Sequence, residues 1–241
     1  MERRWRTSSS RSSVVARRKV VRGTHRRLPA LLYDLRSRHT AERSSGVAAL
    51  PPAVVEEPRI LVGVTGASGV EYARRLIDVL GDRADVILTK DASAVIDVET
   101  GLPPKEFAAH ARAVYRGEDL AAAPASGSDR FRALVVVPCS GTTLAKIAAG
   151  IADNLVTRAA AVALKERRLL ILVPRETPVS AIALENELKL ARLGVVILPA
   201  SPGFYGRPRR IEDLVDFVVA RILDQLGVEH AIGVRWTGPP E

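Results

Sequence analysis

From Arg59 onward, short runs of apolar and β-branched residues alternate with amphipathic stretches, and few folds accommodate that alternation. The runs cover residues 60–64, 85–88, 133–137, 169–173 and 195–198. They are almost continuously apolar, as strands must be when a parallel sheet is covered on both faces. The stretches near 70–80, 92–99, 143–151, 154–167 and 179–193 carry helical spacing, and a last one covers 211–226. Strand and helix in alternation predict right-handed βαβ units and an α/β domain with a doubly wound sheet.

Residues 1–58 are different. They hold 13 of the 36 Lys and Arg residues but 5 of the 27 Asp and Glu, a net charge of +8 out of +9. Their Arg- and Ser-rich sequence ends in Pro51-Pro52 and Pro58, which read as a linker. The chain therefore divides into a disordered basic tail, 1–58, and a domain, 59–241, that is close to neutral. The tail has the composition of a mitochondrial transit peptide. It also reads as an untranslated leader, with translation starting at Val47, Val54 or Val55. Without the tail the domain shows no basic patch for nucleic acid. No apolar run approaches the ~20 residues that span a bilayer, so neither nucleic acid nor membrane is an expected partner. Cys139 is the single cysteine, which excludes an intrachain disulfide. The four histidines lie far apart, and no metal site is expected.

Ligands of such a sheet bind at the carboxyl ends of its strands. Four strand ends carry loops of unusual composition. The first, Gly63-Val64-Thr65-Gly66-Ala67-Ser68-Gly69, opens a helix, where free N–H groups and the helix dipole favour a phosphate. Its spacing departs from G-x-G-x-x-G, and its bland reading is a tight turn with Ser68 as helix cap. The second, Pro138-Cys139-Ser140-Gly141-Thr142-Thr143, offers hydroxyls at another helix start. Cys139 has no general base beside it and is expected to be a buried small hydrophobe. The third, Pro174-Arg175-Glu176-Thr177-Pro178, sets an Arg that can clamp a phosphate beside a Glu that can move a proton. The fourth, 199–208, presents Phe204, Tyr205 and Arg207. Arg158 and Lys165, seven apart on one predicted helix, face the same way.

These segments resemble the UbiX family of flavin prenyltransferases over residues 59–236. The resemblance rests on VGVTGASGVEYARRL, VVVPCSGTTLAKIAAGIADNLVTRAAAVALKERR, VPRETP, PASPGFY and VARILDQLGVEH. It implies a flavodoxin-like or Rossmann-like three-layer sandwich assembled as a homododecamer. It implies metal-independent transfer of the dimethylallyl group of dimethylallyl phosphate to reduced FMN, in the cytoplasm unless the tail is a transit peptide. The prenylated FMN so formed serves UbiD-type decarboxylases. Carried across by motif, Gly66, Ala67, Ser68, Thr89, Ser140, Gly141, Thr142, Thr143 and Arg175 would contact FMN. Arg158, Lys165, Arg175, Tyr205 and Arg221 would hold the prenyl phosphate, with Ser68 close by. Glu176 and Glu99 match the acidic catalytic positions, Glu176 as the proton-transfer residue and Glu99 in support. One departure is Thr142, where relatives often carry Lys or Asn; another is Gly141, which replaces a bulkier residue. Two other readings compete: an FMN-dependent cysteine-decarboxylase type, which needs an active-site His, and a non-catalytic flavin-binding or basic-tail adaptor.

Overall fold

The computed structural model describes residues 59–233, 235 and 238, so the predicted tail lies outside the described residues. Six strands form one sheet: β1 (Ile60–Val64), β2 (Ala84–Leu88), β3 (Ala113–Arg116), β4 (Ala133–Cys139), β5 (Leu169–Pro174) and β6 (Val196–Ile197). All pairings are parallel and the order is β3-β2-β1-β4-β5-β6. This is the doubly wound order, with its switch point between β1 and β4.

The helices are α1 (Val70–Leu80), α2 (Lys90–Thr100), α3 (Pro104–Phe107), α4 (Gly141–Ala149), α5 (Leu155–Lys165), α6 (Ala181–Arg192) and α7 (Ile211–Leu226). Strand residues alternate between two apolar layers. Ile60, Val62 and Val64 join α1, α2 and α7 on one face, whereas Leu61, Leu134 and Val136 join α4 and α5 on the other. Both faces are thus covered, which is why β1, β2 and β4 are buried at every position. Helix α1 shows the logic: Val70, Ala73, Leu76, Ile77 and Leu80 form one buried stripe. Each large side chain in it contributes roughly 1.5–3 kcal/mol by leaving water.

Strand β3 escaped the sequence reading because it is an edge strand. Its four residues alternate between half-buried and exposed, so the continuous apolar run is missing. Helix α6 buries only Leu190 and leaves Ile182, Leu184 and Leu188 exposed. At the amino edge of the sheet, Asp85 is fully buried. It accepts from Arg112 Nε and Nη2 at 2.9 and 2.6 Å and from Arg59 Nη1 at 2.8 Å. Among the described residues, no helix is long and apolar enough to cross a membrane.

Candidate functional site at the carboxyl ends of β1, β4 and β5

The loops after β1 and β4 meet at the switch point and are clipped together by Thr65, which is buried. Its hydroxyl donates to the Pro138 carbonyl at 2.7 Å and accepts from Ser140 N–H at 2.9 Å. Gly66 is required for packing: a Cβ there would lie 2.5 Å from Asp91 Cβ on α2. Ala67 N–H closes the turn onto Thr65 O at 2.9 Å. The exposed Gly66 and Ser68 N–H groups have no protein acceptor among the described residues.

Ser68 does not cap α1, contrary to the bland reading of this turn. The N-cap is Gly69, at φ 103°, a left-handed conformation that glycine adopts without steric cost. The acceptor comes from thirty residues away. Glu99, in the last turn of α2, takes the Gly69 N–H at 2.9 Å and the Val70 N–H at 3.0 Å. A carboxylate is favoured there by the helix dipole. Spacing along the sequence gave no sign of this contact.

The end of β5 closes the third side. Arg175 Nε donates to Ser68 O at 3.1 Å, so the guanidinium lies against the α1 loop. Glu176 lies against the α4 loop: a Cβ on Gly141 would sit 2.9 Å from its Oε2. Gly141 therefore faces the Glu176 carboxylate directly. Ser140 caps α4 by accepting from Thr143 N–H at 3.2 Å, and its hydroxyl reaches Thr143 Oγ1 at 3.0 Å. This cap starts α4 two residues before the predicted position. Thr142 is exposed on the first turn. Thr89 caps α2, accepting from Ala92 N–H at 3.2 Å, while its own N–H reaches Val64 O beside the β1 loop. Cys139 is buried, and burial pushes its thiol well above the ordinary range, with the Glu187 charge adding to the shift. It is an inert core residue, as expected.

The remaining residues lie on the flanks. Arg158 and Lys165 do share a side of α5, along the 123–127 segment. Arg158 Nε donates to Ala125 O at 3.1 Å, while Lys165 pairs with Glu166 at 2.9 Å and adjoins Gly127. Neither bonds to Ser68, Arg175 or Glu176 within the chain. Tyr205 meets Phe217 edge-on at 5.7 Å and lines a hollow of about 280 Å³ over α7. Arg221 lies ten residues into α7, about 15 Å along the helix from its start. It pairs with Asp224 at 2.9 Å, and its Nε is buried without a partner among the described residues. Burial pushes the Asp224 carboxyl up. The His230 hydrogen bond and the Arg221 and Arg235 charges outweigh it and hold the group below the usual aspartate range. One chain thus assembles Ser68, Glu99, Ser140, Gly141, Arg175 and Glu176, and leaves Arg158, Lys165 and Arg221 outside that cluster.

The Flavoprotein family matches residues 51–223. A flavin prenyltransferase UbiX of Methanocaldococcus jannaschii is 47% identical over 180 residues, which cover 74% of this chain and 98% of that protein. The chain belongs to the UbiX family of flavin prenyltransferases. Two solved structures agree with it. A dodecameric FMN-dependent UbiX-like decarboxylase from Escherichia coli O157:H7 is 44% identical, with a TM-score of 0.73 over 75% of this chain and all of that one. A UbiX protein (PadA1) in complex with FMN and dimethylallyl pyrophosphate is 41% identical, with a TM-score of 0.73 over 76% and 99% of the two chains.

The residues of this UbiX-family chain fit FMN. Gly66 and Ser68 are exposed beside a helix N-terminus and their N–H groups have no acceptor among the described residues, the Arg175 guanidinium stands next to them, and Thr142 is exposed on the α4 loop. Among the described residues, no group of three or more His, Cys, Asp or Glu is placed to hold a metal ion. Of the described histidines, His110 pairs with Asp78 and His230 with Asp224, and neither bonds to the loops after β1, β4 and β5, where the cysteine-decarboxylase reading needs a His.

Proposed function

We propose that the protein joins the dimethylallyl group of dimethylallyl phosphate to reduced FMN, giving the prenylated FMN used by UbiD-type decarboxylases. The observation that carries this reading is the placement of the two residues that directly follow β5. Arg175 lies on the α1 loop and Glu176 on the α4 loop, so a cation and a carboxylate stand at the two loops of the switch point without pairing to each other. Within that reading, Gly66, Ala67, Ser68, Thr89, Ser140, Gly141, Thr142, Thr143 and Arg175 hold FMN. Tyr205, Arg158, Lys165, Arg175 and Arg221 take up the charge of the departing phosphate.

The flavin supplies the nucleophilic ring and the π-surface that shelters the allyl group. Glu176 removes the proton released when the added ring closes, because its carboxylate stands free over Gly141. Glu99 supports the site by fixing the α1 N-terminus on which the loop rests. Since the flank cations do not reach the cluster within one chain, the donor pocket is completed by neighbouring copies in a homododecamer. The exposed apolar residues Ile182, Leu184, Leu188 and Leu193 support assembly. The protein acts in the cytoplasm, with neither nucleic acid nor membrane as partner.

The test supplies an apo UbiD-type decarboxylase with the product of an anaerobic incubation of this protein, reduced FMN and dimethylallyl phosphate. Decarboxylation that depends on the prenyl donor is expected. A decarboxylase that stays inactive, while prenylated FMN from a control enzyme restores it, contradicts the proposal. Replacing the donor by dimethylallyl pyrophosphate in a parallel incubation tells which phosphate is used.

A further inference from the structure

We propose that His230 is a positioning residue that, through Asp224, fixes the guanidinium of Arg221 in the orientation that receives the donor phosphate. The inference rests on the reading of Arg221 as a phosphate ligand.

Arg221 and Asp224 lie three apart on α7 and pair at 2.9 Å. Alone, such a pair on a helix surface holds a long side chain weakly, because both partners keep their rotamer freedom. Here the carboxylate is held from behind. Asp224 Oδ2 faces Arg221 Nη2, and Oδ1 accepts from Arg235 Nη2 at 2.8 Å and lies 3.1 Å from His230 Nε2, which donates to it in the tautomer that carries the proton there. In that tautomer the 3.3 Å approach of Arg235 Nη2 to His230 Nε2 is that of two donors converging on one oxygen.

His230 is itself immobilised. Its side chain is 1% exposed, and Nδ1 lies 3.2 Å from the Ile232 carbonyl. The segment that carries it is pressed onto α7. Gly227, at φ 64°, ends the helix and turns the chain back. At Gly233, φ 74°, an added Cβ would lie 2.9 Å from Ala220 Cβ and 3.2 Å from Asp216 O. A buried imidazole is tolerated when the N–H it carries is bonded, and here that acceptor is Asp224. The bland alternative is therefore a histidine that merely locks the α7 terminus. Two features favour positioning: Asp224 joins the imidazole to Arg221, and the Arg221 side chain, held through Nη2, is still 40% exposed. The guanidinium is fixed but not saturated, which suits a group that must meet an incoming anion.

Two polar substitutions separate the readings. In His230→Gln the amide N–H falls near the position of Nε2 and can still reach Asp224. In His230→Asn it falls near Nδ1 and can reach only the Ile232 carbonyl. Both are measured as assembled, FMN-saturated protein, with KM for dimethylallyl phosphate, kcat and FMN affinity read separately, and with Arg221→Ala as reference. The expected result is a rise in donor KM of about tenfold in His230→Asn, the scale of coupling inside one network. KM in His230→Gln should stay within about twofold, and FMN affinity should be unchanged in both. If Arg221→Ala raises KM and both His230 variants behave alike, the positioning inference is overturned and the phosphate reading stands. If Arg221→Ala leaves KM unchanged, the phosphate reading fails and the inference fails with it. Should His230→Asn not fold, Asp224→Asn carries the test: a raised donor KM with intact FMN binding supports the link, and an unchanged KM overturns it.

Discussion

At the amino edge of the sheet, Asp85 is fully buried with both oxygens taken by Arg59 and Arg112, and Arg168 lies over the Phe131 ring at 4.3 Å while bonding to two backbone carbonyls. At the carboxyl edge, Arg175 and Glu176 are exposed. Arg175 gives a single N–H to a backbone oxygen, and Glu176 faces the bare Cα of Gly141. Both edges use arginines and carboxylates. At one edge the charges are spent on each other, which fixes the fold. At the other they retain bonding capacity, which a ligand can use. A charged residue at a strand end is therefore informative only once its partners are known.

The largest expected effect falls at the open edge. Glu176→Gln should keep FMN binding and lower turnover by about 10²–10⁴-fold, the usual contribution of a general base. Wild-type turnover in that variant would remove Glu176 from its role. The complementary change at the closed edge is Asp85→Ala, which leaves Arg59 with Asp129 alone and turns the part-exposed Arg112 towards water, and should cost about 2 kcal/mol of stability. That corresponds to a fall in melting temperature of roughly 5 °C, with turnover per folded molecule preserved. Lost turnover with unchanged melting would break the comparison from the other side.

Glu99 stands between the two cases, since its carboxylate is exposed yet occupied by the α1 N-terminus. Glu99→Gln should lower stability by roughly 1 kcal/mol in urea unfolding; no change would mean that the cap contributes nothing. The smallest effect is expected at Cys139. Burial holds its thiol protonated well above neutral pH. A thiol reagent should therefore leave the native protein unmodified at pH 8 and label it only after unfolding. Rapid labelling of the native protein would contradict the inert reading.

The sequence made the central strands and α1 legible because both faces of the sheet are covered and the apolar runs are unbroken. It concealed β3, whose edge position gives a weak alternation in only four residues. The glycine and hydroxyl loops were readable at the candidate site because each follows a strand directly. The link from Glu99 to Gly69 was not, since two elements thirty residues apart meet only in the fold. The network behind Arg221 was hidden for the same reason: α7 must end at Gly227 and fold back before His230 can reach Asp224. Seven-residue spacing did place Arg158 and Lys165 on one side of α5, but spacing within a chain carries no information on which molecule that side faces.

Prenyl transfer at the open edge would change the mass of the flavin. Purified protein is incubated anaerobically with reduced FMN and dimethylallyl phosphate, and the flavin is then extracted and weighed by mass spectrometry. The expected product is a flavin heavier by one dimethylallyl unit, formed by the wild type and largely absent with Glu176→Gln. An unchanged flavin mass, alongside a control enzyme that prenylates under the same conditions, would contradict it.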